Sequence, residues 1–154
     1  SDLPSPFNSW LFIQGLETLA LRIKAHSEKA LEVAKFLESH PKVKSVKYPG
    51  LKTHRDNALL KKYFTDEMAS GLISFEAESF EEAKKIVDGV KLFTPVVNIG
   101  DSKSLITHPA STTHSQLSKD ELKVAGIGES LVRLSIGLEN PIDLIEDLKA
   151  AIES

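Results

Sequence analysis

Leu131-Val132-Arg133-Leu134-Ser135-Ile136 is the stretch that decides the fold. Val132, Leu134 and Ile136 fall on one side of an extended chain, and Leu131, Arg133 and Ser135 on the other, because side chains alternate along a strand. Gly71-Leu72-Ile73-Ser74-Phe75-Glu76-Ala77 reads the same way, with Ile73 and Phe75 opposed to Ser74 and Glu76. A parallel sheet covered on both faces would read as nearly continuous apolar runs. Two amphipathic strands predict instead an α+β domain with a small, mainly antiparallel sheet and helices packed on one face. The other face is left for solvent or for another domain.

Helix signals surround these strands. Residues 7–39 read as helix, with Gly15 the candidate break, and with Leu16, Leu19, Ile23, Ala30, Val33, Ala34 and Leu37 at helical spacing. Pro41 closes it, Val43–Tyr48 alternates as a strand, and Pro49-Gly50 turns the chain. Arg55–Tyr63 reads as a short polar helix. Ser79-Phe80-Glu81-Glu82 and Ser118-Lys119-Asp120-Glu121 are capping boxes, the second opening a helix that Gly126 ends. Val90–Phe93 is expected to pair as a strand. Residues 94–117 carry weak patterning, and so long a stretch inside a compact domain points to function. Asn140-Pro141-Ile142-Asp143 starts a final helix, with Ile145, Leu148 and Ile152 on its apolar face.

Composition narrows the possibilities. The 154 residues suit one domain, here divided into a helical segment over 5–40 and a sheet unit over 41–154. A formal charge of −3 opposes a general nucleic-acid footprint. No apolar run reaches the roughly 20 residues of a membrane helix. No cysteine is present, so disulfides, thiolate zinc sites and thiol nucleophiles are excluded, which suits a reducing, cytoplasmic setting. The chain begins at Ser1 without a methionine and is expected to be a processed product or a piece of something longer.

Arg133 is the residue that asks for chemistry. A guanidinium between apolar neighbours needs an anion, because taking it out of water costs several kcal/mol. Three readings are open: a salt bridge to a carboxylate on a neighbouring strand, Glu76 being the candidate, simple exposure to solvent, or a bound anion. His108 and His114 lack the spacing of metal ligands, and no metal site is expected. His26 and His40 belong to a helix surface and a helix end, and His54 is expected to be exposed. There is no Gly-x-Ser-x-Gly elbow and no phosphate-loop frame. Lys103 reads as a solvated loop lysine. The small polar cluster Asn98, Ser102 and Ser104 lies beside Gly100, which lets a ligand approach the backbone.

Three longer blocks add a resemblance. Ser5–Leu51 contains GLETL-x-x-R-x-x-x-H and a Tyr-Pro-Gly-Leu turn, Asn98–Ser118 reads NIGDSKSLITHPASTTHSQLS, and Gly126–Ile152 reads GIGESLVRLSIGLENPIDLIEDLKAAI. In this order they resemble the C-terminal domain of the Cys/Met-metabolism enzymes that use pyridoxal phosphate, a fold-type I domain. The Asn98–Ser118 block looks most like the O-acetylhomoserine sulfhydrylase branch, which makes homocysteine by γ-replacement. Methionine γ-lyase and cystathionine γ-synthase are the alternatives within the family.

The resemblance implies roles. Arg133 matches the arginine that grips the substrate α-carboxylate. Asn98 matches a serine that helps hold it, and Ser104 and Leu105 match the loop along the substrate. Thr113 and His114 match a supporting pair, and the GLETL helix is expected to pack structurally and at subunit contacts. Pyridoxal phosphate is implied for the full-length enzyme, together with a homotetramer acting on a small amino-acid substrate. Nothing here resembles the family's Schiff-base lysine, so no catalytic residue and no bound cofactor are expected in this chain alone. An autonomous amino-acid-binding regulatory module and an interaction domain remain the rival readings.

Overall fold

The structure is a computed structural model that describes residues 3–112 and 128–154. Thr113, His114 and the expected Ser118–Gly126 helix lie outside the described residues. Among the described residues the helices in chain order are α1 (Pro6–Glu17), α2 (Leu19–Ser39), α3 (Asn57–Tyr63), α4 (Phe80–Gly89) and α5 (Pro141–Glu153). The strands are β1 (Ser45–Lys47), β2 (Leu72–Glu76), β3 (Thr94–Pro95), β4 (Leu105–Thr107) and β5 (Leu131–Ser135). The sheet order is β1-β2-β5-β4-β3, and every pairing is antiparallel except β3 with β4.

The alternation read in the two strands sets the layers. Val46, Phe75 and Val132 stand in one cross-strand row, and Ile73, Leu134 and Ile106 in another. These rows join Ala30, Val33, Ala34 and Leu37 of α2, Ala83 and Ile86 of α4, and Leu144, Leu148 and Ile152 of α5 in one core. The fold is therefore α+β, with helices on one face of a mostly antiparallel sheet. Truncating a fully buried side chain such as Phe75 to alanine would cost about 3–5 kcal/mol.

Caps explain where the helices start. Ser79 Oγ accepts from Glu82 N at 3.2 Å, and Asn140 Oδ1 accepts from Ile142 N at 3.0 Å, each satisfying an otherwise orphaned amide. The long N-terminal helix does break, but at Thr18 and not at Gly15, which stays helical. Arg22 ties the break together: Nη2 donates to Gly15 O at 2.5 Å and Nε to Thr18 Oγ1 at 3.3 Å. The apolar face expected of Leu16, Leu19 and Ile23 is exposed, and α1 buries none of its residues.

Several expectations need correction. Val90–Phe93 is not a strand, because the Asp147 carboxylate takes the Lys91 and Leu92 amides at 2.8–3.1 Å, and pairing begins only at Thr94. The weakly patterned stretch after residue 94 contains β3, β4 and a 3₁₀ turn at Pro109–Ser111. His26 is buried, not on a helix surface, and His54 is half-buried.

Candidate functional site

The face of the sheet away from the helices carries the polar members of each strand. Lys47, Ser74, Arg133 and Thr107 stand opposite one another across β1, β2, β5 and β4. Leu72, Ser135 and Leu105 form the next row. Arg133 is half-buried there, and among the described residues its guanidinium makes no ion pair and no hydrogen bond. The Glu76 partner considered from sequence is engaged elsewhere, with its carboxylate 3.5 Å from Lys47 Nζ. A planar fork of donors held in a partly desolvated row suits a carboxylate ligand.

The loop before β4 is fastened to this face at two points. Thr107 Oγ1 donates to Val96 O at 3.1 Å, and Gly100 N donates to Ser135 Oγ at 3.3 Å. Gly100 takes a φ of 78°, a conformation that favours glycine. Asn98, between the two fastenings, is exposed, and its Oδ1 accepts from Ile99 N at 2.9 Å. Asn98 thus sits on a loop drawn toward the arginine face, with its side-chain amide nitrogen pointing no hydrogen bond at the described protein.

Ser104 and Leu105 are placed differently from each other. Leu105 is buried on the open-face side, opposite Ser135 and two residues along β4 from the partner of Arg133. Ser104 is fully buried and its polar groups are spent internally. Its N donates to Glu139 Oε1 at 2.7 Å, its Oγ donates to Glu139 Oε2 at 2.8 Å, and Gly137 N donates to Oγ at 2.8 Å. Leu138 N completes the knot on Ser102 O at 2.8 Å. A Cβ on Gly137 would come within 2.6 Å of backbone atoms of Ser102 and Lys103, so only glycine fits. Sequence reasoning missed Ser135, Thr107 and Glu139. The alternation of β5 carries the signal for Ser135, which lies two residues after Arg133. Nothing local signals that Glu139 closes on Ser104, 35 residues earlier.

Other singled-out residues have structural surroundings. His108 is buried, with Nδ1 3.0 Å from Ser111 Oγ, Nε2 donating to Glu129 O at 2.7 Å, and its ring edge-on to Phe80. Lys103 is exposed. Tyr48, in the Tyr-Pro-Gly turn, donates its hydroxyl to carbonyls of Ser27 and Ser70 at 3.1 and 2.9 Å, and burial pushes its phenol above the usual range.

The fold and this face define a class. Residues 2–153 match the Cys/Met metabolism PLP-dependent enzymes, and the chain belongs to that family. Among its relatives, O-acetyl-L-homoserine sulfhydrylase of Leptospira meyeri is 49% identical over 151 residues, covering 97% of this chain and 34% of the relative. L-methionine gamma-lyase of Fusobacterium nucleatum subsp. polymorphum is 43% identical over 149 residues, covering 96% and 37%. A Campylobacter jejuni crystal structure described as an O-acetylhomoserine (thiol)-lyase, with N′-pyridoxyl-lysine-5′-monophosphate, superposes with a TM-score of 0.91. It is 59% identical and is matched over 97% of this chain and 36% of its own. The chain thus spans about a third of the length of the relatives it matches.

Pyridoxal phosphate needs a lysine amine, donors for its phosphate and an aromatic against its ring. The lysine on the open face, Lys47, is paired with Glu76, and the open-face positions of the five strands hold no aromatic residue. Among the described residues the face fits a carboxylate and does not fit the cofactor.

Proposed function

We propose that this chain is the substrate-carboxylate-binding domain of a PLP-dependent enzyme of sulfur amino-acid metabolism, an O-acetylhomoserine sulfhydrylase that makes homocysteine by γ-replacement. The observation that carries the reading is the half-buried guanidinium of Arg133, held in a cross-strand row with no ion pair to a carboxylate among the described residues. The 49% identity to a sulfhydrylase favours that branch over the γ-lyases.

In this reading Arg133 takes the α-carboxylate through two parallel N–H···O contacts. The loop carrying Asn98 closes over the bound amino acid. Leu105 and Leu72 flank it with apolar surface that excludes water. Ser104 contributes by fixing the loop, since its hydroxyl and amide are committed to Glu139. Holding the substrate in one orientation lowers the barrier without any proton transfer by this chain. The cofactor and the group that moves protons belong to other parts of the full-length enzyme, and the 154-residue chain alone is inactive. The full-length enzyme works as a homotetramer in the cytoplasm.

The test is Arg133→Ala in the full-length enzyme. Truncating one member of a buried charge pair costs about 2–5 kcal/mol, so kcat/KM for O-acetyl-L-homoserine with sulfide should fall about 100-fold, mainly through KM. An unchanged kcat/KM would sink the carboxylate role. Faster turnover of L-methionine than of O-acetyl-L-homoserine would move the protein to the γ-lyase branch. Tight binding of an amino acid by this chain alone would favour an autonomous regulatory module.

A further inference from the structure

Among the described residues His26 Nε2 is buried and has no hydrogen-bond partner, an arrangement rare enough in folded proteins to need a reason. The other ring nitrogen fixes the tautomer. Nδ1 lies 2.6 Å from the carbonyl oxygen of Ile136, which can only accept, so Nδ1 carries the proton. In the uncharged ring Nε2 is then a lone-pair acceptor with nothing to accept from.

The same ring forms part of the wall of a cavity of about 120 Å³. Ile23, Leu72, Ile99 and Ile136 make the wall largely apolar, and Gly100 and Ser135 connect it to the loop fastening beside Arg133. Water is a poor occupant, since an ordered internal water takes two to four polar partners. The wall suits a small molecule that offers one hydrogen-bond donor and is otherwise soft and apolar.

The geometry points to a subsite for a small thiol, hydrogen sulfide or methanethiol, whose S–H donates to His26 Nε2. This rests on the reading of the protein as a sulfhydrylase and deepens it. The nucleophile would wait against α2 and the Ile99–Gly100 loop, next to the bound amino acid and outside the carboxylate grip.

Two measurements test it. In the first, the 154-residue chain is titrated with sodium sulfide or methanethiol while the His26 imidazole nitrogens are followed by ¹⁵N NMR. A saturable shift at Nε2, with Nδ1 little changed, is expected. No saturable shift at millimolar thiol overturns the proposal. In the second, His26→Asn is made in the full-length enzyme. Asparagine keeps a donor for the Ile136 carbonyl and removes Nε2. KM for sulfide should rise about tenfold while KM for O-acetyl-L-homoserine stays the same. Ile23→Phe, which fills the cavity from a partly exposed helix position, should give the same split and covers the case in which His26→Asn fails to fold. An active enzyme with unchanged sulfide KM in either folded variant overturns the subsite. A wild-type enzyme with no sulfhydrylase activity at all overturns the functional reading instead, and the NMR result stands apart from it.

Discussion

Ser74 and Arg133 face each other directly across β2 and β5, so the guanidinium rises beside a hydroxyl and not beside an acid. The nearest acid along β2, Glu76, sits one pleat further on and is taken by Lys47. Among the described residues the row therefore holds two cations, Lys47 paired with Glu76 and Arg133 with no carboxylate partner. Glu76→Gln should accordingly leave substrate KM unchanged in the full-length enzyme. Its stability cost should stay within about 0.5 kcal/mol, because the Lys47–Glu76 pair is partly solvated. A large drop in KM on Glu76→Gln would mean that Glu76 competes for Arg133 after all.

Ser104 and Glu139 form the fastening that fixes the loop in front of this row. Glu139→Ala leaves the buried Ser104 amide without an acceptor and should destabilise the chain by about 1–3 kcal/mol. Glu139→Gln retains an acceptor for that amide and should lose much less. Ser104→Ala combined with Glu139→Ala should be clearly non-additive in urea unfolding, since both remove the same contacts. Additive losses would show that the two residues act separately.

Tyr48 gives the chain an alkaline limit. Its phenol is held above the ordinary value near 10 by burial, so the native state keeps a proton that the unfolded chain releases. Stability from this group is complete below the unfolded pKa and is lost as pH rises through the folded one. The thermal stability of the wild type should therefore fall above about pH 10. Tyr48→Phe should remove that part of the slope while losing the two carbonyl contacts at neutral pH. An identical alkaline slope in both proteins would contradict the assignment.

The helix α1 behaves differently from the rest. It has apolar residues all round, including Phe7, Trp10 and Phe12, and none is buried. Removing residues 1–17 should change the unfolding free energy by no more than about 0.5 kcal/mol, as for surface changes generally. Leu37→Ala, in the buried half of α2, should cost about 2–5 kcal/mol. A large loss on removing α1 would mean that it packs against the core.

What the sequence made legible follows the range of the interaction. Two-residue alternation in β2 and β5 is local, so the faces of the sheet and the position of Arg133 were readable. The caps at Ser79 and Asn140 were readable for the same reason. β4 is three residues long and buried throughout, with no alternation to detect. The Val90–Phe93 segment looked like a strand until Asp147, 56 residues away, claimed its amides. His26 looked like a surface residue because neither the Ile136 carbonyl 110 residues later nor the burial it brings leaves a mark near it. The placement of Arg133 on the open face and of the Asn98–Leu105 loop beside it agrees with the motif reading, their roles being part of the proposal, whereas the Ser104–Glu139 knot exists only in three dimensions.

Competitive inhibition of the full-length enzyme tests most directly the proposed recognition of a carboxylate by Arg133. L-homoserine and 3-aminopropan-1-ol differ only in that group. The wild type should bind L-homoserine about 100-fold more tightly, the equivalent of a desolvated charge pair. In Arg133→Ala the two inhibition constants should become nearly equal. A preference for L-homoserine that survives the substitution undiminished would contradict the account.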